Sequence, residues 1–162
     1  MDNSLSFFRV FDLAFFAPGM LLFGAIWYSG CFPIDALSSH DDTVHGILTG
    51  AFAIVFIYVL GLICHGIQRA VHCLIGIKNI GSTPWYTNLK KDNPRHELSM
   101  YFWYMRSTCW NLVVAIVLAV IISYYQNIPV ISLSVIAISV FVIVVLVFLG
   151  YEFDKSMRKA AS

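Results

Sequence analysis

The clearest gathering of carboxylate and imidazole in this chain is His40, Asp41 and Asp42, followed by His45. Such groups could hold a divalent ion, or sense pH near the intrinsic histidine pKa of about 6.5. The two aspartates and Thr43 also stand directly ahead of a long apolar run. There a carboxylate or hydroxyl accepts from the first unpaired N–H groups of a helix, and capping explains them without any ligand.

A second pattern is His65, Arg69 and His72, at i, i+4 and i+7 on one helical face. The two imidazoles stand two turns apart, not one, and no carboxylate lies between them, so the spacing argues against a metal site. It suits a basic face turned toward lipid headgroups or an acidic partner. Lys90, Lys91, Arg95 and Arg106 extend the basic character, and the aromatic run Met100–Trp110 lies beside them. These residues (His65, Arg69, His72, Lys90, Lys91, Arg95 and Arg106) are the expected contacts for a cytoplasmic protein partner. Cys31, Cys64, Cys73 and Cys109 are scattered and lack paired C-x-x-C spacing. No Ser-His-Asp or His-Glu-x-x-His arrangement occurs. The expectation is a protein without catalytic residues, cofactor or metal.

The elements that must carry these residues are membrane helices. The chain has 162 residues, 59% hydrophobic and only 12% charged, where a soluble domain carries about a quarter charged residues. Its mean hydropathy is +0.79. Four apolar runs, over about 13–32, 44–64, 108–125 and 128–150, are each near the ~20 residues that cross a hydrocarbon core. The fold class predicted is therefore an all-α integral membrane protein, one domain over 1–162. The first run has no clear cleavage site and reads as a retained anchor.

All 10 Lys and Arg residues fall on one side of that layout. Arg9 precedes the first run, Lys155, Arg158 and Lys159 follow the last, and the other bases lie between the second and third. The first outer loop has Asp35, Asp41 and Asp42 and no base. By the positive-inside rule both termini and the central segment are cytoplasmic, and a multi-pass inner-membrane location is expected. The bases are no more than that topology requires, so no direct nucleic-acid binding is predicted.

The second helix meets no breaker until Gly76, and Asn93-Pro94 marks the start of the third, with Pro at its first position. Both helices are longer than a bilayer needs, so a cytoplasmic stem over about 65–107, closed by the polar loop 81–93, is predicted. Pro18 is expected to kink the first helix. Gly46, Gly50, Ala53, Ile57 and Gly61 share one stripe of the second helix, a small-residue seam for close helix packing or assembly of like subunits.

In layout the chain resembles membrane subunits of small bacterial operons, antiviral defence systems among them. The small-residue seam, with overlong helices that end in a basic, aromatic-rich tip, leads to the expectation of a homo-oligomer in lipid that docks a cytoplasmic protein. Two other readings stay open. One is a pore or membrane-permeabilising channel with Thr49, Tyr58, Asn111 and Ser123 lining it in an oligomer. The other is a small interfacial membrane enzyme using Asp12, His65 or His72.

Overall fold

The computed structural model describes residues 3–30, 43–75, 94–126 and 133–161, with side chains described for 13–30, 46–75, 98–126 and 134–159. Four helices make up the described residues: α1 (Asn3–Tyr28), α2 (Thr43–Leu74), α3 (Pro94–Tyr125) and α4 (Leu133–Ala161). Three of them contain stretches long and apolar enough to cross a membrane: Gly46–Leu74, Leu98–Tyr125 and Ser134–Lys159. In α1 the apolar stretch Leu13–Tyr28 is shorter. The proposed cap at Asp41 and Asp42, the loop 81–93 and the turn 127–132 lie outside the described residues.

Helix α3 opens on Pro94, whose missing N–H costs nothing in the first turn. Helix α1 continues through Pro18. Helix α4 does not stop near Gly150, where the apolar run ends, but continues to Ala161. The charges that read as a tail support it as helix. Asp154 pairs with Arg158 one turn on, and Arg158 and Lys159 sit in the last turn, where cations complement the helix dipole.

Pairings across the helices give an up-down-up-down bundle. Gly19 of α1 faces Ile57 of α2, and Gly61 of α2 faces Phe15 of α1, so these two run antiparallel. Asn111 of α3 meets Ala14, and Ala115 packs with Leu22, so α3 runs with α1. Helix α3 also meets α4 in antiparallel fashion, with Arg106 against Asp154 and Trp110 against Gly150. It is the central element, in contact with the other three, while α4 packs chiefly on α3.

The α1–α2 crossing depends on two glycines used reciprocally. A Cβ at Gly19 would strike the Ile57 carbonyl, and one at Gly61 would strike the Phe15 carbonyl. In each helix the glycine lies four residues after the carbonyl that the other glycine covers. This is the small-residue route to close backbone approach.

The apolar core consists of Leu22, Leu60, Cys64 and Ala115, lined by Phe23, Phe56, Leu118 and Ile122 among others. It fills the bundle on the side away from the described Lys and Arg side chains. Packing is uneven along α4. Gly150 lies against the Trp110 indole, Phe153 against Phe102, and Met157 is fully buried. The turns before these, such as Ile138, Phe141, Val144 and Phe148, are exposed. Outer α2 is also open, with Ile47, Leu48, Phe52, Ile54 and Val55 uncovered.

Candidate functional site

The structure gathers buried polar side chains at one end of the bundle, where the described bases lie. Gln68, His72, Ser99, Arg106, Ser107, Thr108 and Asn111 are all buried. Thr108 needs no outside partner, because its hydroxyl donates to the Tyr104 carbonyl at 2.9 Å. Gln68, His72, Arg106 and Asn111 form three nodes.

The first begins at Pro18. In a helix the carbonyl of residue i accepts from the N–H of residue i+4, and for Ala14 that residue is Pro18, which has no N–H. Asn111 fills the vacancy: its Nδ2 donates to the Ala14 carbonyl at 2.8 Å. The amide orientation follows, since only the nitrogen end can donate. Its Oδ1 then faces Nδ1 of His65 at 3.3 Å, so His65 must carry a proton on Nδ1 to donate there. One Asn thus ties α3 to α1 and α2. The His65 ring also meets Phe15 edge-on, with centroids 5.2 Å apart.

The second node is Gln68 and His72, one turn apart on α2. Gln68 Nε2 donates to His72 Nδ1 at 2.7 Å, which places the neutral ring's proton on Nε2. The His72 ring stands perpendicular to Trp110, centroids 4.8 Å apart. Trp110 in turn covers Gly150, so α2, α3 and α4 meet at one indole. Gln68 Oε1 is buried without a hydrogen-bond partner. Rotating the amide would let Oε1 accept from a proton on Nδ1, so the pair can accommodate either protonation state of His72.

The third node is an ion pair. Arg106 Nε lies 3.0 Å from Asp154 Oδ1, with side chains 6% and 16% exposed. The separation is that of an ion pair, yet neither atom has a hydrogen-bond partner, so the contact is one of charge and not of aligned donor and acceptor. Arg158 Nε donates to the other carboxylate oxygen of Asp154 at 3.0 Å. One carboxylate serves two guanidinium groups.

Among the residues expected to contact a partner, the structure separates inward from outward. His72 and Arg106 lie inside the fold and His65 is half-buried against Asn111, while Arg69 is exposed. Of the face read from His65, Arg69 and His72, Arg69 is the base turned outward in this fold. The ridge turns His72 onto Trp110. Lys90 and Lys91 lie outside the described residues, as does the side chain of Arg95 and those of Asp12 and His45. The aromatic run is divided: Tyr104 is buried and Phe102 packs on Phe153, whereas Tyr101 is exposed. Of the seam, Gly61 is held against α1, Ala53 is half-buried, and Gly46 and Gly50 face no described residue.

Sequence reasoning missed Asp154 and the pairing role of Asn111. The signal for Asn111 was Pro18 itself, since a proline within an apolar helix leaves a carbonyl that needs a donor. No group of three or more His, Cys, Asp or Glu side chains among the described residues could hold a metal ion. The arrangement ties the four helices together through polar contacts. Comparison with protein-family models, curated proteins and solved structures finds no match to this chain.

Proposed function

We propose that this chain is a non-enzymatic integral membrane subunit that assembles with further copies of itself and engages a cytoplasmic protein. In this reading all four helices span the bilayer, with both termini and the α2–α3 connection on the cytoplasmic side, as the one-sided bases require. Helix length supports the placement. From Leu133 to Asp154 is about 32 Å at about 1.5 Å per residue, so Arg106 and Asp154 sit at the inner boundary of a ~30 Å core. The docking surface comprises the connection with Lys90 and Lys91, and Arg69 beside it.

One observation carries the self-assembly half. Where α1 and α2 pack on each other, at Gly19 and Gly61, the glycine lies on the neighbour's carbonyl. Gly46 and Gly50 lie on the same stripe as Gly61, yet among the described residues nothing comes within 4 Å of a Cβ added at either. Exposed Ile47, Leu48 and Phe52 surround them. A second copy is the occupant whose packing style matches. Gly46→Leu combined with Gly50→Leu should leave the monomer folded, because both positions face no described residue. It should convert multimers to monomers in native mass spectrometry from gentle detergent. Unchanged multimers in the variant, or only monomer in the unmodified chain, would count against this reading.

A pore remains the second reading, for one reason. Leu22, Leu60, Cys64 and Ala115 fill the middle of the single bundle, so a conducting path has to run between copies. Ion flux from liposomes that persists in the monomeric variant would contradict a pore of that kind.

A further inference from the structure

Helix α4 carries a continuous exposed stripe that changes chemistry once. Phe141, Val144, Phe148, Tyr151, Lys155 and Arg158 follow each other at alternating steps of three and four, and all are exposed. Such steps keep one face of a helix. From Phe141 to Tyr151 is about 15 Å at about 1.5 Å per residue, the depth of one leaflet of a ~30 Å core. The stripe then passes through an aromatic residue of interfacial type to two cations.

The charge at its end is unbalanced. Asp154 is shared by Arg106 on Oδ1 and Arg158 on Oδ2. Two guanidinium groups against one carboxylate leave one positive charge, Lys155 and Lys159 add two more, and Glu152 offsets one of these. Arg158 is 62% exposed. Its Nε is engaged by Asp154, and most of the side chain stays exposed. A planar donor fork held this way matches a phosphate.

We infer that this face of α4 is a binding site for an anionic phospholipid, with acyl chain on Phe141, Val144 and Phe148 and phosphate between Lys155 and Arg158. Asp154 positions Arg158, and Arg106 offsets the charge of Asp154 so that it does not repel the lipid. The inference rests on the reading of the chain as a membrane protein. It adds a defined headgroup class and a defined face.

The test uses the full chain in mixed micelles, titrated with phosphatidylglycerol or phosphatidylcholine and read by native mass spectrometry. Phosphatidylglycerol should be retained selectively. The double variant K155A/R158A should lose about 30-fold in affinity, each base near the surface being worth about fivefold. R69A removes an exposed base from α2 at the same end and should leave phosphatidylglycerol retention unchanged, whatever it does to partner docking. Equal retention of the two lipids, or an equal loss in R69A, would overturn the site in favour of a general positive field. Displacement of the lipid by millimolar inorganic phosphate would overturn the role of the acyl chain. An alkaline carbonate wash of cell membranes separates the two levels of failure. A chain released by the wash refutes the membrane reading itself, whereas a retained chain without lipid selectivity refutes only this inference.

Discussion

Asp154→Ala is expected to destabilise the bundle by about 3–5 kcal/mol, because it leaves the Arg106 guanidinium buried without a counter-charge. The site is nearly dry, with Arg106 only 6% and Asp154 16% exposed at the side chain, so water cannot take over the lost role. Helix α4 should suffer first, since Gly150 on Trp110 and Met157 in the same few turns are its main hold on the rest. The pair itself is a different matter. It has charge contact without hydrogen-bond geometry, and buried pairs often stabilise no more than an apolar replacement does. Arg106→Met combined with Asp154→Leu should therefore lie within about 1 kcal/mol of the unmodified chain, or above it. Unfolding titrations in mixed detergent of the single and double variants complete the cycle. A double variant as unstable as Asp154→Ala would show that the carboxylate acts through something other than Arg106.

The second large effect is expected at Asn111. Hydrogen bonds between membrane helices average only about 0.6 kcal/mol, because a deprived group usually finds another partner. The Ala14 carbonyl has no such recourse, since the donor its helix would supply belongs to Pro18. Asn111→Leu should thus cost toward the upper part of about 1–3 kcal/mol for a buried polar group left unpaired. It also removes the acceptor for His65 Nδ1. The decisive comparison adds Pro18→Ala, which returns an N–H to the helix. In that background Asn111→Leu should cost markedly less, even though the lost proline ring has a cost of its own. Equal costs of Asn111→Leu with and without Pro18→Ala would refute the assignment. The same unfolding titrations read it.

These two sites show where sequence reading reached and where it stopped. Long apolar runs and Pro94 were enough to mark the helices, because span length and proline's missing donor act locally. Residues 152–161 were not read as helix, since a mixed-charge end resembles a solvated tail until Asp154 is seen to pair along and across helices. Arg106 was counted as a topological signal. Counting bases by side cannot separate one that faces water from one paired inside the fold, because that depends on how α3 is rotated against α4. His72 was misplaced for the same reason: helical spacing tells which residues share a face, not what covers it. Gly46, Gly50 and Gly61 share a stripe in the sequence, yet only packing reveals that one is closed and two are open.

That open stripe is where the account is most exposed. Gly50→Cys, placed in a chain with Cys31→Ser and Cys73→Ser, can be oxidised in intact membranes alongside Val117→Cys, which lies on an exposed part of α3 away from the stripe. Self-assembly through outer α2 predicts covalent dimers from Gly50→Cys and few or none from Val117→Cys. No dimer from Gly50→Cys, or the same yield from both, would contradict it.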